Sequence, residues 1–135
     1  MAMSQENVEM IRRGYEYFAE TGDFREEIMH PDFVWDMSTF RDWPERQTYA
    51  GLEGARAFMR DWWEAWEDWE LEVEELLDAG ESAVAIVRQR GRSKATGLPT
   101  DMHFAMVWTF RDGKQVRMRM YASPDEALKA TGLLT

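Results

Sequence analysis

Residues 101–121, DMHFAMVWTFRDGKQVRMRMY, decide the fold. Two alternating runs flank Asp112-Gly113, a dipeptide suited to the two-residue type I′ hairpin because both of its positions need positive φ. The stretch therefore predicts two antiparallel strands, from Asp101 to Phe110 and from Gln115 to Ala122. Upstream, Trp69-Glu70-Leu71-Glu72-Val73-Glu74 alternates strictly, with one apolar and one acidic face. Ala79-Gly80 turns the chain into a further strand, Ala83 to Arg92, and Ser93 to Pro99 connects it to the hairpin. Four strands with short turns make an antiparallel meander. Downstream, Ser123-Pro124-Asp125-Glu126 supplies an N-cap, Pro at N1 and Glu at N3 for a terminal helix that Gly132 closes.

The first half is mainly helical. Ser4 can cap a helix whose Val8, Ile11, Tyr15, Phe18 and Ala19 share one face, and Gly22 ends it. Asp23, with Glu26 three residues on, predicts a second, short helix. It must stop near Met29, because Pro31 disfavours helical geometry at His30. Phe33 to Met37 reads as a strand. Ser38 to Ala50 reads as a loop, and its Arg41 to Tyr49 part, with Trp43, is expected to form a lid or rim. A third helix is predicted from Leu52 to Asp68, with Ala55, Phe58, Met59, Trp62 and Trp66 as its apolar stripe. Helices gathered before a meander imply an α+β domain with helices packed on one sheet face.

At 135 residues the chain is expected to form one domain, 1–135, large enough to bury a core. Its net charge of −10 argues against nucleic-acid and anionic-membrane partners. With no Cys, disulfides, thiolate nucleophiles and Cys-ligated zinc are excluded. Two His without a spaced ligand set make a metal site unexpected. No apolar run approaches membrane-span length and the N-terminal residues lack a signal-like apolar region, so a cytoplasmic protein is expected. Ten Met and seven Trp must fill a core or line a cavity.

The order of elements and several local motifs resemble the nuclear transport factor 2-like superfamily, and within it the SnoaL-like polyketide-cyclase group. The matching residues are Gly22-Asp23, His30-Pro31-Asp32-Phe33-Val34-Trp35, Tyr49-Ala50-Gly51-Leu52-Glu53-Gly54, Thr96-Gly97-Leu98-Pro99, Trp108 to Lys114, Tyr121, Glu126-Ala127-Leu128 and Gly132-Leu133. Together they cover nearly the whole chain. The resemblance implies a cone-shaped, curved, mixed β-sheet wrapped around N-terminal helices, the cystatin-like or ketosteroid isomerase-like fold. It also implies a ligand pocket in the cone and a homodimer through the outer sheet face. It does not fix a reaction, because this fold carries several chemistries.

Strand parity assigns the inner wall. Glu70, Glu72 and Glu74 must face out, which turns Trp69, Leu71 and Val73 inward. Placing Arg88 and Arg90 outside selects Ala85, Val87 and Gln89 as inner. Phe104, Met106, Trp108 and Phe110 follow, then Val116, Met118 and Met120. Trp35 and Met37 from the first strand, Tyr15 and Phe18 from the first helix, and Phe58, Trp62 and Trp66 from the third complete the set. A Met-rich wall can adapt to varied apolar shapes, although such stripes more often simply pack a core. The outer set alternates Glu and Arg rows that can pair across strands.

By resemblance to the ketosteroid-isomerase branch, Tyr15 would donate a hydrogen bond to a developing oxyanion. The acid and base positions of that branch fall on Met37 and Met106, and Asp36 could replace the base only if a β-bulge re-aimed it inward. His30 and His103, which a dehydratase would need inside, read as solvated or outer residues. An epoxide-hydrolase-like pairing of Asp36 with Arg88 or Arg119 requires reversed parity. Gln89 is the uncharged polar residue of the inner wall and could orient a ligand carbonyl. Two functions remain open. One is a pocket for a small apolar or aromatic molecule, with cofactor-free proton transfer by Tyr15 and Asp36. The other is a catalytically silent binding or dimerisation module.

Overall fold

The computed structural model describes residues 2–40, 43 and 47–134. Helix α1 spans Ala2–Thr21 and stops at Gly22, whose φ is 74°. It begins before Ser4, which lies within the helix and not at its cap. Strand β1, Met29–Asp36, follows a single 3-10 turn at Glu26–Ile28. The short helix expected from Asp23 is thus reduced to that turn. Asp23 holds Arg56 instead, in a two-point pair at 3.0 and 3.1 Å that ties the end of α1 to the second helix. That helix, α2, spans Gly51–Ala65, after the short strand β2, Thr48–Ala50, inside the stretch expected to be a loop.

The meander follows as β3 (Trp66–Asp78), β4 (Ser82–Ser93), β5 (Pro99–Arg111) and β6 (Lys114–Tyr121), closed by helix α3, Pro124–Ala130. Asp112 and Gly113 adopt φ of 55° and 74°, as the type I′ turn demands. The Ser123 hydroxyl accepts the Glu126 backbone N–H at 3.3 Å, so the terminal cap forms as its sequence dictates.

All six strands form one curved, open, mixed sheet in the order β2-β1-β6-β5-β4-β3. The parallel pair is β1 with β6, in the register Trp35 to Met118 and Asp36 to Arg119. β3 starts at Trp66, three residues earlier than the alternating run. Trp66 therefore ends the α2 stripe as a strand residue, its ring tilted against Trp62 at 5.7 Å. The early part of β3 is irregular: Asp68 takes φ of 52° and the pairing shifts between Glu67 and Glu70. Gly91 of β4 lies beneath this bulge. A Cβ there would stand 2.7 Å from Trp69 Cβ and 2.9 Å from its Cα, so only glycine lets the two backbones approach this closely.

The strand faces divide as parity requires. Ala85, Val87, Phe104, Met106, Trp108, Met118 and Met120 join the main buried cluster with α1 and α2. Val84, Ile86, Ala105 and Val107 form a smaller cluster on the other face, covered by Ala127 of α3. One inner position differs from the alternation. The register shifts between Thr109 and Phe110, and this bulge buries Gln115 where strict alternation puts Val116. Among the described residues, no helix is long and apolar enough to cross a membrane.

Candidate functional site

Between α1, α2 and the concave face of the sheet lies a cavity of about 70 Å³. One ordered water needs roughly 10–15 Å³ on the same scale, so the space exceeds a single water several-fold. The wall is mostly aromatic and aliphatic. Trp35 stacks on Phe58 with ring centroids 4.5 Å apart and meets Trp108 edge-on at 5.9 Å. Trp62 joins them through Phe58 at 5.4 Å and is backed by Trp43, whose indole donates to the Tyr49 hydroxyl at 3.3 Å. Such offset and edge-on contacts fix ring orientations more firmly than aliphatic packing does. Of the expected lid, Trp43 is thus a buried support for α2; Arg41 and Pro44 lie outside the described residues.

Tyr15 brings a hydroxyl to this wall from α1. It accepts from Trp108 Nε1 at 3.1 Å and donates to the Met106 sulfur at 3.0 Å. Burial pushes the phenol above its ordinary pKa, against the smaller downward pull of the Trp108 hydrogen bond. The group is therefore a neutral donor at every physiological pH, resting on a weak thioether acceptor. Gln89, fully buried on β4, accepts the Trp62 indole N–H at 2.8 Å.

The residues expected to form the site separate into three groups. Tyr15, Phe18, Trp35, Phe58, Trp62, Gln89, Phe104, Met106, Trp108 and Met120 line the cavity. Met37, Val87 and Met118 are wholly buried in the core without lining it, and Trp66 packs at its margin against Trp62. Asp36 is elsewhere. No irregularity interrupts β1 between Val34 and Asp36, so the bulge that would turn it inward is absent. Its side chain shares the outer face with Arg117 and Arg119, which donate to Oδ2 at 2.8 and 3.1 Å, while Ser38 N donates to Oδ1 at 2.9 Å. Burial raises the carboxyl pKa, but the Ser38 and Arg119 hydrogen bonds together outweigh it and hold the group below its ordinary value. Asp36 is therefore a structural anion, weakly basic and remote from the cavity.

Other lining residues carry little signal in the sequence. Gly14, Phe24, Arg25 and Gln115 belong to the wall. Phe24 and Arg25 fall in the segment whose pattern suggests a helix, and Gln115 is hidden by the β6 bulge. Only Gly14 has a usable signal, because it adjoins Tyr15 on the apolar face of α1. Arg25, which donates to Glu27 at 3.0 Å, is the one charged residue among the described lining; no Asp, Glu or His is there. Both His lie away from it. His30 accepts the Asp32 backbone N–H at 3.0 Å, and His103 pairs with Glu74 at 2.6 Å on the outer face. Among the described residues, no three His, Asp or Glu side chains converge as metal ligands.

A cavity within a mixed, curved sheet accords with the SnoaL-like domain, whose family model matches residues 11–118. The chain belongs to the SnoaL-like domain family. Solved structures share the fold at low identity. A nuclear transport factor 2-like protein of unknown function from Burkholderia pseudomallei is 22% identical, with 92% of this chain and 95% of that one aligned and a TM-score of 0.73. A protein described as a SnoaL-like polyketide cyclase from a Jannaschia species is also 22% identical over 97% and 94% of the two chains, with a TM-score of 0.71. TerC, crystallised with polyporic acid, is 22% identical over 94% and 98%, with a TM-score of 0.70. No curated protein matches the sequence.

Proposed function

We propose that the cone of this protein binds a small apolar, aromatic molecule, with Tyr15 as a hydrogen-bond donor to it. The observation that carries this reading is the Tyr15 hydroxyl, which sits in a mostly apolar wall and has only a sulfur to donate to. A ligand oxygen is a better acceptor than that sulfur and would draw the hydroxyl to itself. TerC, which shares the fold, was crystallised with polyporic acid, and this favours an aromatic ligand here as well. The lining supports binding and the stabilisation of a developing oxyanion. It does not support proton removal by a protein carboxylate, because Asp36 faces the opposite side of the sheet. The silent-binding alternative is thus favoured over proton-transfer catalysis.

Tryptophan fluorescence titrated with naphthalene tests the reading. Saturable quenching is expected for the native protein. Gly14→Leu should abolish it. Gly14 lies on the wall, and a Cβ added there meets only ordinary van der Waals contacts, the nearest at 3.7 Å, so a larger side chain at this position is expected to take up cavity space. Absence of saturation in the native protein, or its survival in Gly14→Leu, would overturn the reading. A second copy on the outer face is the macromolecular partner we propose. The support is its rows of mixed charge, with Arg88 bound to Asp101 at 2.9 Å and flanked by Glu74 at 3.8 Å. Light scattering at micromolar concentration should report a dimer, and a monomer would refute it.

A further inference from the structure

The polar atoms of the cavity wall are unevenly satisfied. An indole N–H can only donate, so the Trp62 bond fixes which end of the Gln89 amide is oxygen. The nitrogen end, Nε2, is then left buried with no acceptor. Trp35 Nε1, in the same wall, is likewise buried without an acceptor. With the Tyr15 hydroxyl on its thioether, three groups of one wall hold N–H or O–H bonds that lack an oxygen acceptor. Buried donors are nearly always paired in folded proteins, so three on one wall without an oxygen acceptor call for an explanation.

We propose that Gln89 is the specificity residue of this cavity and that the ligand it selects is an uncharged aromatic carbonyl compound, whose oxygen accepts from Gln89 Nε2. The inference rests on the cavity being a binding site. A hydrocarbon of the same shape would leave the amide open. An ammonium would add donors where donors are already in excess, with no Asp or Glu in the described lining to balance its charge. Gln89 suits the task because it is held from behind: Trp62 pins its oxygen, and the ring contacts to Phe58 and Trp43 pin Trp62. Its geometry is set before any ligand arrives.

Matched probes read the effect directly. Tetralin, 1-tetralone and 1-aminotetralin share one bicyclic frame, and tryptophan quenching gives the affinity of each. The ketone is expected to bind about tenfold tighter than the hydrocarbon, and the amine more weakly than either. Because the Tyr15 hydroxyl still donates, Gln89→Met should shrink the ketone's advantage over tetralin to about threefold, and an advantage left at about tenfold would overturn the role of Gln89. Should Gln89→Met fail to fold, the infrared carbonyl stretch of tetralone bound to Tyr15→Phe decides. It should stay below its value in hexane, because the amide still donates when the phenol is gone. Equal affinities for ketone and hydrocarbon, or a hexane-like stretch in Tyr15→Phe, would overturn the role of Gln89 and leave the cavity reading intact. Binding of none of the three probes would overturn both.

Discussion

The two faces of β4, β5 and β6 are built from alternate residues of the same strands, yet they solve opposite problems. The concave face carries Phe104, Met106, Trp108, Met118 and Met120, and its polar groups are neutral donors. The convex face carries the ions. Its apolar centre, around Val84 and Ala105, is already covered by α3, while Arg117 and Arg119 both donate to Asp36 beside it. The strand period of two therefore sorts charge as well as hydrophobicity. The acidic chain keeps its charges in water or in pairs, and the cavity wall stays nearly free of them.

Four substitutions test this division. The largest effect is expected inside. Trp62→Ala removes a 3% exposed ring that links Gln89 to the aromatic stack and should cost roughly 3–5 kcal/mol in urea unfolding. A loss below about 1 kcal/mol would mean that the inner wall is loosely packed. Next is the close approach of β3 to β4 at Gly91. Gly91→Ala drives a Cβ against the Trp69 backbone and should cost about 1–3 kcal/mol, with a shift of tryptophan emission as β3 moves.

On the convex face, Asp36→Asn strips the shared anion from two partly exposed arginines. A loss of about 1–2 kcal/mol at neutral pH is expected, reduced by solvent screening. The pH dependence has a definite sign. The folded carboxyl titrates below its unfolded value, so its contribution is complete above the ordinary aspartate pKa of about 3.9 and is lost as pH falls through the lower folded value. Asp36→Asn should therefore flatten the acid limb of the stability curve and leave naphthalene binding unchanged; loss of binding would place Asp36 in the site after all. The smallest effect is expected from Ser123→Ala, which removes the cap of α3 and should cost about 1 kcal/mol.

The fold is legible in the sequence because its strongest signals are local. The Asp112-Gly113 turn, the Ser123 cap and the Glu70 to Glu74 alternation each depend on near neighbours, and each forms. The cavity is legible wherever simple alternation holds, as at Phe104, Met106, Trp108 and Gln89. Reading fails where tertiary contacts override local preference. Asp23 has the pattern of a helix cap, but the Arg56 guanidinium across the fold claims both of its oxygens. The β6 bulge exchanges Val116 for Gln115, and nothing local in Gln115-Val116-Arg117 announces that extra residue. Asp36 needs a bulge that the chain does not make. The open donor of Gln89 is beyond the sequence too, since it follows from a Trp62 bond between residues 27 apart.

The parallel pairing of β1 with β6 also has a consequence in time. Asp36 and Arg119 bond across 83 residues, and β1 joins the β3–β6 meander through β6. Closing so long a loop is entropically expensive, and pairings of this kind slow folding. During synthesis α1, β1 and α2 emerge first and must wait for the last strand with Trp35, Phe58 and Trp62 uncovered. The step that limits folding should then be the docking of β1 on β6.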